Sequence, residues 1–208
     1  DATEGVVQDA DLESMLVDEP PALGVSEVRA GGQDDAAMVW PMTSDGVRNL
    51  DQALLAALQA HNAGDYQVAD RIYTEILDEA PRPYIRAIIL IHRGLARFVG
   101  RSYQDALADF TDALAIDPDN QRALYYCGVV YRVLGDVAAA EERFNTCLAA
   151  DPYQVECLLQ RAGLYLQLER DEQALADCDA ALAIEPSSQS AGALRDRILQ
   201  RRAYRSAE

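Results

Sequence analysis

The chain has 208 residues, half of them hydrophobic, and 35 acidic residues against 18 basic ones give a net charge of −17. That is enough apolar sequence for a continuous core, while so acidic a surface repels nucleic acid and anionic lipid and excludes them as partners of the chain as a whole. Every basic residue is arginine, so these residues offer no lysine for Schiff-base or P-loop chemistry, and the longest apolar run, Ala87 to Ile91, is far short of the roughly 20 residues a membrane-spanning helix needs.

Residues 1–46 form an acidic N-terminal arm with 11 acids and one arginine. So acidic a stretch is not expected to act as a signal or transit peptide. Pro20-Pro21 and Gly31-Gly32 interrupt any long helix there. Leu12, Met15 and Leu16 are spaced for one face of a helix, and Trp40 centres a second apolar cluster. Acidic-hydrophobic alternation of this kind marks a segment that orders on binding. The arm is expected to lie against the rest of the chain or against another chain.

From residue 47 the pattern changes. Gln121–Gln154 registers on Val155–Ser188: Leu124 falls on Leu158, Tyr131 on Tyr165, Ala140 on Ala174 and Pro152 on Pro186. It registers equally on Ala87–Asn120 through Leu90, Gly94, Ala106, Phe110, Ala113 and Pro118. Residues 50–83 are a degenerate first copy that keeps Ala57, Gly64, Ala69, Tyr73 and Pro81. A fixed period of about 34 residues signifies stacked helical hairpins. The spacing predicts helix pairs near 49–63 and 66–79, 84–99 and 103–116, 121–134 and 137–150, and 155–168 and 171–184. Pro83 serves as the first helical residue of the second pair, a position that needs no N–H donor. Residues 189–204 form a last helix, apolar through Ala193, Leu194, Ile198 and Leu199 on one side and arginine-rich on the other. A terminal helix with a polar outer face covers the side that the last repeat leaves open.

These residues resemble the tetratricopeptide repeat family. Small residues occupy repeat positions 8 (Gly94, Gly128, Ala162), 20 (Ala106, Ala140, Ala174) and 27 (Ala113, Cys147, Ala181), and position 24 holds Phe110, Phe144 and Cys178. Small residues let the two helices of a hairpin approach closely, and the aromatic fills the space beside them. The resemblance implies an all-α, right-handed solenoid of about four helix-turn-helix repeats with a C-terminal capping helix, divided as 50–83, 87–120, 121–154, 155–188 and 189–204. It also implies that the first helix of each repeat faces a concave groove through positions 2, 5, 9, 12 and 13. In this chain those positions include Leu54, Leu58, His61, Ile88, Ile91, Leu95, Phe98, Arg122, Tyr125, Val129, Arg132, Leu159, Gly163 and Leu166. Aromatic and arginine side chains are the usual interaction hot spots. Tyr125, Phe98, Ile91 and Leu95 are therefore expected to anchor a ligand, and Arg122 and Arg132 to orient an acidic flank of it. One branch of the family clamps the C-terminal carboxylate of heat-shock chaperones with lysine, arginine and asparagine. The corresponding positions here hold Ile91, Leu95 and Tyr126 in one register and Leu54, Leu58 and His92 in the other, and only Arg122 fits. That ligand is disfavoured.

No catalytic motif occurs, and His61 and His92 have no partner at metal-ligand spacing. No catalytic residue, metal or cofactor is expected. The four cysteines show no CxxC. They are read as reduced core thiols, which suits a reducing, cytoplasmic compartment. The function expected is a non-catalytic interaction module, an adaptor or scaffold subunit that binds an apolar or amphipathic segment of a protein partner within an assembly. The alternatives are self-association or autoinhibition, with the N-terminal arm (Leu12, Met15, Leu16 or Trp40) filling the groove, and the regulatory part of a larger enzyme.

Overall fold

The structure is a computed structural model that describes residues 50–79 and 81–206. The expectations for Leu12, Met15, Leu16 and Trp40 lie outside the described residues. Among those residues there are nine helices and no strand. They are α1 (Leu50–Asn62), α2 (Tyr66–Asp78), α3 (Pro83–Val99), α4 (Tyr103–Ile116), α5 (Gln121–Val133), α6 (Val137–Ala150), α7 (Val155–Gln167), α8 (Asp171–Ile184) and α9 (Gln189–Arg205). Each lies within a residue of the range read from the sequence. They fall into two compact units, α1–α4 and α5–α9, and within each unit sequential helices pack as antiparallel neighbours.

The turns between paired helices share one geometry. Gly64, Arg101, Gly135 and Glu169 all adopt left-handed backbone. The residue after each returns its N–H to the carbonyl five positions back: Asp65 to Ala60, Ser102 to Arg97, Asp136 to Tyr131, Arg170 to Tyr165. This closure satisfies the last carbonyls of the first helix. Asn120, Asp136 and Ser188 cap α5, α6 and α9 by accepting from the N–H groups of Ala123, Ala139 and Ala191.

Hairpin packing rests on the small residues. Ala69, Ala106, Ala140 and Ala174 are fully buried, as are Tyr73, Phe110, Phe144 and Cys178 beside them. A side-chain carbon placed on Gly94 would stand 2.7 Å from the Phe110 ring, and one on Gly128 would stand 2.5 Å from the Phe144 ring. Position 8 carries a methyl in Ala162, where position 24 is the smaller Cys178, and also in Ala57 of the first repeat, where position 24 is Tyr73 and both are fully buried. In the second unit Ile198 of α9 completes a core with Ala162, Tyr165, Leu166, Ala174 and Cys178. No helix among the described residues is long and apolar enough to cross a membrane.

Candidate functional site

Most of the residues that the repeat register assigns to a groove are covered. Leu54, Leu58, Ile91, Leu95, Phe98, Val129, Arg132, Leu159 and Leu166 are buried, and Leu166 belongs to the core under α9. Ile88, Arg122 and Tyr125 are half-buried. The apolar character of these positions therefore reflects packing as much as any ligand. Adjacent first helices must touch one another, and the register gives the face of a residue but not its depth.

In the second unit α5 and α7 pack together and bring four of the singled-out or neighbouring polar positions into one cluster. Gln160 Nε2 donates to the Tyr125 hydroxyl at 3.3 Å. Tyr125 meets Tyr126 edge-on with ring centroids 4.8 Å apart, and burial raises its phenol above the ordinary value, so it stays neutral. Arg132 is 5% exposed, and its Nε and Nη2 have no hydrogen-bond partner among the described residues. A side-chain carbon on Gly163 would stand 3.1 Å from Arg132 Nη1, so the glycine of α7 leaves the guanidinium its room. Burial lowers the Arg132 pKa to about 10, and the Tyr125 phenol opposes that shift. The group is still a cation at neutral pH.

The sequence reading missed a second pattern, the arginine–aspartate forks. Arg93 donates from Nε and Nη2 to the two oxygens of buried Asp109 at 3.0 and 2.6 Å, and from Nη1 to Thr74 of α2 at 3.0 Å. Two repeats further on, Arg161 donates from Nε and Nη2 to Asp177 at 2.8 and 2.7 Å, and from Nη1 to Asn145 of α6 at 2.7 Å. Each arginine ties its own hairpin to the second helix of the preceding repeat. Arg97 to Asp70 and Arg170 to Glu141 repeat that link with an acid at one shared position. These groups are structural, and their chemistry is fully engaged. The available signal was an Arg and an Asp sixteen residues apart at the same register in two repeats.

One expectation is corrected. Cys147 and Cys157 form a disulfide between α6 and α7, while Cys127 and Cys178 are buried thiols that take no part in a disulfide. The two half-cystines face each other across the turn between repeats, a proximity that spacing alone does not reveal. The cysteines therefore no longer argue for a reducing compartment. Among the described residues no group of three His, Cys, Asp or Glu could hold a metal ion.

Tandem helical hairpins with small residues under an aromatic define an all-α helical-repeat protein, a fold typical of protein–protein interaction. A tetratricopeptide repeat family model matches residues 54–121, 92–155 and 128–189, and the chain belongs to that family. It is similar to a probable UDP-N-acetylglucosamine–peptide N-acetylglucosaminyltransferase SPINDLY of Hordeum vulgare, 32% identical over 39% of this chain and 8% of the relative. It is also similar to a DnaJ homolog subfamily C member 7 homolog of Schizosaccharomyces pombe, 29% identical over 59% of this chain and 29% of the relative. The chain thus spans less than a third of the length of these curated relatives. Among solved structures it resembles a tetratricopeptide repeat protein from Parabacteroides merdae, with a TM-score of 0.65 and 23% identity over 73% of this chain and 60% of that one. The first repeat domain of Spaghetti (RPAP3), bound to the HSP90 peptide SRMEEVD, gives a TM-score of 0.56 and 24% identity over 58% of this chain and 95% of that one. At these identities the likeness to the solved structures is one of fold.

Proposed function

We propose that this chain is a non-catalytic interaction module that holds an apolar or amphipathic segment of a partner protein on the first-helix faces of its repeats, as an adaptor or a subunit of an assembly. The observation that carries this reading is the α5–α7 cluster. There the half-buried Tyr125 lies near the buried guanidinium of Arg132, which has no hydrogen-bond partner for Nε or Nη2 among the described residues, and the half-buried Arg122 opens the same helix, in a chain otherwise rich in acids. Two fold neighbours are peptide-bound repeat domains, which supports the mode of binding. The chaperone C-terminus itself is not the ligand proposed, because the clamp positions here are Ile91, Leu95 and Tyr126, or Leu54, Leu58 and His92. Arg122 alone fits, in the second register, and the other donors that would hold a terminal carboxylate are missing.

The test is purification of the full chain from its native source, identification of proteins that co-elute in constant ratio, and repetition with Tyr125→Ala. A stoichiometric partner lost from the variant, with helicity by circular dichroism unchanged, supports the reading. A chain that elutes alone, or a partner retained in full by the variant, refutes it.

A further inference from the structure

The first repeat carries an open cleft of about 470 Å³ on α1 and α2. Its apolar wall is Ala53 and Ala56 of α1 with Val68 and Ile72 of α2, and the exposed Arg71 and Glu75 line it as well. The repeat register shows which way this wall faces. Ala56 and Ile72 stand at the two positions that hold the Arg93–Asp109 fork in the second repeat and the Arg161–Asp177 fork in the fourth. Each of those arginines reaches the second helix of the repeat before it, at Thr74 or Asn145. Ala56 and Ile72 therefore face the place where a preceding element packs, and the polar fork has given way there to an apolar pair. Val68 departs in the same direction, standing where the later repeats hold Asp105, Ala139 and Gln173. Yet Val68 is 39% exposed. The last repeat has its cover in α9, through Ile198, and an array of repeats needs a cover on its first member too.

We propose that this cleft is the docking site of the Met38, Val39, Trp40 and Met42 cluster of the same chain, with the Trp40 indole seated against Ala56, Val68 and Ile72. Reach is ample: the chain from Trp40 to Leu50 extends up to about 33 Å, and Ala53 and Ala56 lie in the first two turns of α1. So short a tether holds the cluster at an effective concentration in the millimolar range, an advantage that a separate molecule or the more distant Leu12, Met15 and Leu16 lacks. Residues 36–42 carry no charge, as a wall holding Glu75 requires, and Asp34 and Asp35 just before them complement Arg71. Tryptophan supplies the large flat apolar surface that a cleft of small and branched side chains accepts. The docked segment covers the first repeat as α9 covers the fourth.

Trp40 is the only tryptophan in the chain, so its fluorescence in the full chain reads the contact directly. Its emission is expected to be blue-shifted, shielded from acrylamide and unchanged on dilution. Val68→Asp should shift the emission to the red and remove the shielding. Gln67→Asp puts the same charge on an exposed neighbour that does not line the cleft and should leave the emission as it was. Both aspartates fall in the first turn of α2, where a negative charge favours the helix, and circular dichroism checks that helicity is kept. Should Val68→Asp lose helicity, Trp40→Ala decides instead: amides of α1 and α2 should exchange with deuterium faster than in the unaltered chain, and those of α7 and α8 should not. The emission of a solvated indole in the unaltered chain overturns the proposal. So does a blue shift that Val68→Asp leaves in place or that Gln67→Asp removes equally. Exchange that Trp40→Ala leaves unchanged, or speeds in every helix alike, overturns it too. Shielding that fades on dilution puts a second copy in the cleft and overturns the chain's own arm as its occupant. None of these outcomes bears on the partner proposed for α5 and α7.

Discussion

Gly128→Ala is the sharpest test of the glycine–ring contact that packs the second and third hairpins. The added carbon would lie 2.5 Å from Phe144 Cε1 and 2.8 Å from Cδ1 and Cζ, where carbon atoms normally rest about 3.5–4.0 Å apart. The ring must retreat by about an ångström, yet Phe144 is fully buried and flanked by fully buried Ala140 and Cys147. Overpacking of this kind costs about 1–3 kcal/mol, and replacing a mid-helix glycine by alanine returns about 1 kcal/mol. The net expectation is a loss of about 1 kcal/mol, reaching about 2 if the ring cannot turn. Gly192→Ala is the control, because nothing lies within 4 Å of its new carbon. It should gain up to about 1 kcal/mol, so the two variants separate by about 2. Urea unfolding followed by circular dichroism reads this as a shift of midpoint at constant slope. Combining Gly128→Ala with Phe144→Leu should cost less than the two single changes added together. If Gly128→Ala proves as stable as Gly192→Ala and the double variant is additive, helix propensity rather than ring contact decides this position and the reasoning fails.

Asp177→Asn leaves Arg161 with one neutral acceptor in a largely buried fork and should cost about 2–4 kcal/mol. Asp179→Asn, in the exposed pair with Arg195, should change stability by less than about 0.5 kcal/mol in the same urea titration. Burial lowers the His61 pKa below its ordinary value of 6.5. The folded state therefore binds fewer protons than the unfolded state as pH falls through 6.5, and stability should decline at no more than about 1.4 kcal/mol per pH unit. His61→Gln should flatten stability measured between about pH 7.5 and 5.5, and an unchanged slope would show that other groups set it. The Cys147–Cys157 bridge closes a short loop and should contribute up to about 3 kcal/mol. Thiol titration in denaturant should find two free thiols before reduction and four after, and Cys147→Ser should make stability insensitive to reductant. Four thiols in the untreated chain would refute the bridge.

The fold was legible because its signals are local and repeated. Gly94, Gly128 and Ala162 recur at one period, Pro118, Pro152 and Glu185-Pro186 close the hairpins, and Pro83 opens a helix where a missing donor costs nothing. The site was only half legible. Register located Tyr125, Arg132 and Gly163 on neighbouring first helices. It could not show that Leu95 or Leu166 is buried by its neighbours, because depth depends on how closely two helices pack. The forks of Arg93 with Asp109 and Arg161 with Asp177 were hidden by composition: in a chain with 35 acids, no single acid stands out. The bridge of Cys147 to Cys157 was hidden for a related reason. Contact across a turn between repeats follows from the turn geometry and leaves no motif in the spacing.

The third repeat departs from its neighbours in a way that links these observations. At the register where the second and fourth repeats carry Arg93 with Asp109 and Arg161 with Asp177, it carries Cys127 and Arg143, and no such fork can form there. Its second helix is tied to the fourth repeat instead by the Cys147–Cys157 bridge, by Asn145 and by Glu141. An arginine appears further along its first helix, at the position where the flanking repeats place Phe98 and Leu166. In those repeats that position serves apolar packing and the guanidinium serves the fork. In the third repeat the fork is replaced by a covalent link, and a guanidinium sits where packing alone would favour an apolar side chain. A cation with its gripping edge unmatched, at a position its neighbours fill with Phe and Leu, gains nothing for the fold that a leucine would not supply more cheaply.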